Sequence, residues 1–235
     1  MDDPRIARGM KTQLALRRAR LAAGDKALGW KVGFGAPAAM ERLAIAAPLV
    51  GFLTGHALVA SGSTLSLAKW NKPVAEPEIA VYLGRDLPGG ADRVTAQAAI
   101  AGLGPAIELA DVDRPPDDVE SILAGNIYQR NVVLGRCETA RAAGRLDGMV
   151  ARVMRNGNEI ARTADIQALT GELVDIVRHV AEVLAACGEQ LQAGQAIIAG
   201  SIVPPLWVEA GDEVEFALDP VDAVSIRFAS KDTPA

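Results

Sequence analysis

Strand-like segments in this chain follow one another in clusters and are not parted one by one by helices, an order that argues against a doubly wound α/β sheet. In LGWKVG, Leu28, Trp30 and Val32 alternate with Gly29, Lys31 and Gly33, the period-two pattern of a strand with one bulky face. Residues 49–67 read as short strands broken by glycines, and a strand at 78–84 leads through the turn RDLPGG to a helix near 94–102. GPAIELAD at 104–111 is a further strand, DDVESILAG at 117–125 a short helix and NVVLG another strand. Asn156-Gly157 in VMRNGNEIA marks a hairpin, and AIIAG, EVEFAL and AVSIRFA complete the strands. Helical spacing links Ile6, Met10, Leu14 and Leu21 between Pro4 and Gly24, and a short helix is expected around Ala38–Leu43. It also links Leu173, Ile176, Val177, Val180, Val183 and Leu184 within 171–187. The expected class is α+β, with a large curled mixed sheet. Residues 1–26 form an N-terminal helical segment and 27–235 the main domain.

Half of the 235 residues are apolar, enough to bury a substantial core. The net charge of −5 and only nine aromatic residues, with no basic patch among them, disfavour nucleic-acid binding. MDDPRIARGM lacks the apolar core of a signal peptide, and no apolar run is long enough to span a membrane. A cytoplasmic protein is the expectation. Cys137 and Cys187 read as small buried hydrophobes, and Arg17, Arg18 and Arg20 as a solvated or partner-facing helix face.

Chemistry enters with EPEIAVYL at 76–83. In an extended chain Glu76, Glu78, Ala80 and Tyr82 share one face and Ile79, Val81 and Leu83 the other. Pro77 between the acids suggests a strand mouth. Adjacent carboxylates raise each other's pKa unless a cation relieves them, and a hard divalent ion does so. Glu108 sits among small residues in GPAIELAD, giving three carboxylates from two strands for magnesium or manganese. Lys31, flanked by Gly29 and Gly33, is the matching cation, placed to stabilise an anion or move a proton. VGFGAPAA at 32–39 mimics a dinucleotide loop, but no acid follows about twenty residues on. His56 and His179 have no nucleophile setting nearby and read as structural.

GWKVGF, KPVAEPEIAVYLGRDL, GPAIELAD, AGNIYQRNVVLG, LQAGQAIIAGS and VEAGDEVEFAL together resemble one group, in order from about residue 29 to 229. It is the 2-oxopent-4-enoate (2-hydroxypentadienoate) hydratase and 4-oxalocrotonate decarboxylase group of the fumarylacetoacetate hydrolase superfamily. The resemblance implies that superfamily's mixed β-roll with flanking helices, with 27–235 as the catalytic domain. It implies Glu76, Glu78 and Glu108 as ligands of Mg2+ or Mn2+, Lys31 as a catalytic residue beside a bound 2-oxo acid, and Asn126 and Ser201 as substrate-binding. It also implies a homo-oligomer. The implied activity is that of a metal-dependent lyase working through a metal-stabilised enolate. Hydration to a 4-hydroxy-2-oxo acid leads, ahead of decarboxylation of a 4-oxalocrotonate-like acid. Acylpyruvate hydrolysis is less favoured because the helix at 117–125 has no histidine, and a non-catalytic ligand-binding partner is the remaining alternative. Three departures stand out. Val74 replaces the arginine of the hydratases' P-R-x-E-x-E, Gly125-Asn126-Ile127-Tyr128 stands for their DNAS, and Ile198-Ala199-Gly200-Ser201 for their LTGS.

Overall fold

The apolar runs at 27–33, 49–54, 73–83, 100–111, 129–134 and 196–201 enter one sheet in the computed structural model, which describes residues 3–229. In chain order these strands are β1 (Ala27–Gly33), β2 (Leu49–Thr54), β4 (Pro73–Leu83), β5 (Ile100–Asp111), β6 (Gln129–Leu134) and β9 (Ala196–Ser201). Their spatial order is β2-β1-β9-β4-β5-β6, and the short β10 (Leu206–Trp207) pairs with β4 beyond the point where β9 leaves it. A second sheet, β3-β12-β11-β7-β8, contains β3 (Ser63–Ser66), β7 (Val150–Arg155), β8 (Asn158–Thr163), β11 (Glu213–Asp219) and β12 (Asp222–Ala229). The α+β class with a curled sheet matches the expectation.

The curl follows from where side chains meet. Leu53 of β2, Leu28 of β1, Ile198 of β9, Ala80 of β4, Ala106 of β5 and Val132 of β6 form one small inner cluster. Strands at opposite ends of the path contact the same residues only if the sheet wraps on itself. The seam between β2 and β6 is closed by polar contacts. Asn126 Oδ1 accepts from Phe52 N at 2.8 Å and its Nδ2 donates to Phe52 O at 2.9 Å. Val59 N also donates to Val132 O at 3.0 Å. The larger core, with Phe216, Ile226 and Phe228 of the second sheet, lies on the other side of these strands.

Five helices flank the sheets among the described residues: α1 (Pro4–Ala22), α2 (Pro37–Leu43), α3 (Arg93–Ala99), α4 (Val119–Ala124) and α5 (Leu173–Ala186). Asp3 caps α1 by accepting from Arg5 N at 2.8 Å. Gly9 brings α1 against α4, since a Cβ there would lie 2.6 Å from Leu123 Cβ. The apolar stripe of α5 is buried as its spacing predicts, with Leu173, Ile176, Val177, Val180 and Leu184 in the core. None of these helices is long and apolar enough to cross a membrane.

Three expectations need correction. The strand expected at 78–84 begins at Pro73, so Glu76 and Glu78 lie in mid-strand and not at its mouth. Pro77 is tolerated there because Pro77 O, and hence the missing N–H on the same side, faces the gap where β9 gives way to β10. Ile202 N fills that gap, donating to Pro77 O at 3.0 Å. The helix near 94–102 ends at Ala99, and β5 starts at once with Ile100. The basic face of α1 is not all solvated, for Arg17 is only 6% exposed. Its guanidinium lies 4.6 Å from the Trp30 ring centroid and pairs with Glu189 at 3.1 Å, contacts that offset the loss of water.

Candidate metal centre and its cavity

Register pairs Glu76 of β4 directly with Glu108 of β5, and Glu78 follows on the same face two residues on. One carboxylate oxygen from each of Glu76, Glu78 and Glu108 lies within 4.8 Å of the others. Glu78 and Glu108 are buried and Glu76 is half-buried. Glu78 Oε2 accepts from Gly200 N at 2.7 Å, which orients it from β9. Lys31, 1% exposed, comes from β1 and forms an ion pair with Glu108 Oε1. Its Nζ also donates to Ile127 O at 3.1 Å.

Three acids face one lysine here. Burial pushes Glu76 up to about 7, reinforced by the charge of Glu108 and opposed by Lys31. Burial likewise raises Glu78, with Glu108 and Glu76 adding to the effect, while Lys31 and the Gly200 N–H oppose it. Glu108 is raised by burial against the charge and hydrogen bond of Lys31. Glu108 Oε2 is buried and has no hydrogen-bond partner. A buried acceptor without a donor is costly, and a hard divalent cation would satisfy it. All-oxygen ligands of this kind suit Mg2+, Mn2+ or Ca2+, with positions left for water or ligand. The residues present therefore fit a divalent metal.

The lysine is seated by features that sequence reading missed. Gly51, opposite Lys31 in β2, leaves room for it: a Cβ there would lie 2.8 Å from Lys31 Cγ and 3.0 Å from Asn126 Oδ1. A glycine within a strand signals such close approach, and that signal was available in VGFLT. The Ile127 carbonyl is supplied by a left-handed turn, with φ of 58° at Asn126, 53° at Ile127 and 61° at Tyr128. Left-handed backbone costs a non-glycine residue about 1–2 kcal/mol, and three in succession persist only when the surroundings enforce them. The enforcing contacts are the Asn126–Phe52 pair, Ile127 N donating to Ile122 O at 2.8 Å and Asp111 N donating to Tyr128 O at 3.0 Å.

A cavity of about 680 Å³ opens onto Lys31, Glu76 and Glu78. Ser201 lines it, but its hydroxyl donates to Val203 O at 2.7 Å. Asn126 is buried, its carboxamide is engaged with Phe52, and it is not among the lining residues. Gly33, Phe34 and Gly35, from the segment that mimics a dinucleotide loop, form part of the wall. His179 Nε2 lies 2.8 Å from Pro48 O.

Residues 26–227 match the family model for the fumarylacetoacetate (FAA) hydrolase C-terminal region. The chain belongs to this family. Among members of the fumarylacetoacetate hydrolase family, it is 29% identical over 220 residues to 2-hydroxyhexa-2,4-dienoate hydratase of Comamonas testosteroni, covering 92% of this chain and 83% of that protein. It is 28% identical over 222 residues to 4-oxalocrotonate decarboxylase of Pseudomonas putida, with the same coverage of 92% and 83%. The fold superposes on 4-oxalocrotonate decarboxylase from Pseudomonas putida G7, solved in complex with magnesium and adipate. The TM-score is 0.86 at 27% identity, covering 95% of this chain and 86% of that one.

Proposed function

We propose that this protein is a divalent-metal-dependent lyase acting on a small 2-oxo or 2-hydroxydienoic acid, and that it adds water to give a 4-hydroxy-2-oxo acid. The reading rests on one observation, the convergence of Glu76, Glu78 and Glu108 within 4.8 Å beside a buried lysine at the floor of a cavity. The three carboxylates would hold Mg2+ or Mn2+, which as a Lewis acid supplies stabilisation of negative charge on a substrate oxygen. In this reading Lys31 Nζ, held by Glu108 and the Ile127 carbonyl, faces the bound acid and holds or moves a proton there. The Gly200 N–H fixes Glu78. Ser201 Oγ, its proton committed to Val203 O, is left as an acceptor toward substrate. Asn126 contributes by holding the turn that presents Ile127. The hydratases and decarboxylases among its relatives support this assignment.

Decarboxylation of a 4-oxalocrotonate-like acid is the second reading. Lys72 and Arg42 line the cavity, are exposed, and have no carboxylate partner among the described residues. They are suited to a second carboxylate. The same reading includes a homo-oligomer, checked by sedimentation, in the cytoplasm, checked by fractionation. The functional test is turnover of 2-hydroxypenta-2,4-dienoate and of 4-oxalocrotonate by protein stripped of metal and then reloaded with Mg2+ or Mn2+. Metal-dependent formation of a 4-hydroxy-2-oxo acid is expected. Metal-independent turnover, or none on either substrate, overturns the reading.

A further inference from the structure

The part of the cavity beyond the carboxylates differs in chemistry from its floor. Along β4 the alternate residues Glu78, Glu76 and Val74, continued by Lys72, all line it. At about 3.3 Å per residue, Lys72 lies about 13 Å from Glu76 along the chain. The stretch between is apolar, with Val74 next to Ala110 of β5 and Val112 beyond. The adjoining wall is the segment after β9, which β10 pins beside β4 through the pairs Leu206–Ala75 and Trp207–Val74. That register sets Trp207 beside Val74, near the start of β4.

The three hydroxyls that line the cavity donate within the protein. Ser201 donates to Val203 O at 2.7 Å, Tyr128 to Pro115 O at 3.1 Å and Thr170 to Gly171 O at 3.2 Å. Lys72 and Arg42, the groups a second carboxylate would use, are exposed to solvent, where an ion pair contributes little. Trp207 is 57% and Leu169 41% exposed although both line the cavity. Two large apolar side chains left open on one cavity that ends at a charged floor mark a place for a ligand's apolar portion.

We propose that this site takes 2-oxo acids carrying an extended apolar substituent, an alkyl or aryl tail lying across the adjoining side chains of Val74 and Trp207 and against Leu169, in preference to the bare five-carbon acid or its dicarboxylate counterpart. This deepens the function proposed above and rests on its 2-oxo acid site. The volume agrees, since about 680 Å³ falls within the range of pockets that enclose drug-sized ligands.

Calorimetric titration of the Mg2+-loaded protein with pyruvate, 2-oxobutanoate, 2-oxohexanoate, 2-oxooctanoate and 2-oxoadipate tests this without turnover. Affinity is expected to rise about fourfold per methylene from pyruvate to 2-oxooctanoate, and 2-oxohexanoate is expected to bind more tightly than 2-oxoadipate. In Trp207→Ala and Leu169→Ala, the ratio of 2-oxooctanoate to 2-oxobutanoate affinity should fall about tenfold. Because that ratio is taken within each variant, a general loss of folded protein cancels. A flat series with pyruvate still bound, tighter binding of 2-oxoadipate, or an unchanged ratio in both variants overturns the proposal and leaves the 2-oxo acid reading standing. Failure of every 2-oxo acid to bind overturns both.

Discussion

The two sheets handle charge in opposite ways. In the outer sheet, charged side chains pair at the surface: Arg152 with Asp219, Arg162 with Glu159 and Arg227 with Glu213. Its strand β12 buries alternate residues, Val224, Ile226 and Phe228, and β11 does so at its start with Val214 and Phe216, as a sheet with one wet face does. The curled sheet buries both faces of β4 and β5 and keeps Lys31, Glu78 and Glu108 inside. Buried like charges destabilise a fold unless something binds them. One sheet is therefore scaffold, and the other gives up stability to hold a site.

That contrast breaks most readily at the carboxylates. Glu78→Gln should lower turnover by about 10³-fold and weaken Mg2+ binding in calorimetry. The same change relieves repulsion, so the metal-free variant should melt no lower than the parent. A lower melting point would make Glu78 a structural residue. Lys31→Met should cut kcat by about 10²–10⁴-fold while Mg2+ still binds, and a near-normal kcat removes Lys31 from the chemistry. Gly51→Ala adds a methyl 2.8 Å from Lys31 Cγ. It should cost about 1–3 kcal/mol of stability, read in urea unfolding, and a clear drop in kcat.

Acidity sharpens the comparison further. Glu76 is raised to about 7 by burial, above the usual carboxyl value. In metal-free protein its contribution to stability is full below the unfolded pKa and is lost as pH rises through about 7. Metal binding must displace the proton, so Mg2+ affinity should rise between about pH 6 and 8, with proton release visible in buffers of different ionisation heat. Affinity independent of pH would contradict that assignment. The smallest effect belongs to the outer sheet, where Arg227→Ala, at an exposed pair, should shift the melting midpoint by about 2 °C at most and leave kinetics unchanged.

The same division decides how much could be read from the sequence. Glu76, Glu78, Glu108 and Lys31 were identifiable because charges inside apolar, strand-like runs are rare. Strand alternation and the stripe of α5 were equally plain. The start of β4 was hidden by Pro73 and Pro77, since the gap between β9 and β10 that accommodates a missing N–H exists only once three strands have met. Arg17 looked like a surface residue because its partners, Trp30 and Glu189, are remote in the chain. The Ile127 carbonyl and the Gly200 N–H are backbone groups, which no residue type advertises.

The seam at Asn126 and Phe52 has a consequence for how the ion site comes into being. The Asn126 carboxamide helps to join the two ends of the curled sheet, and the groups gathered around the site come from positions 31 to 200. Lys31 and Gly200 must come in from distant parts of the chain before the site is complete, so no short fragment can bind the ion in this way. Burial brings the repulsion of the acids to full strength only at that last stage, when a cation drawn from solution would lock the ring shut.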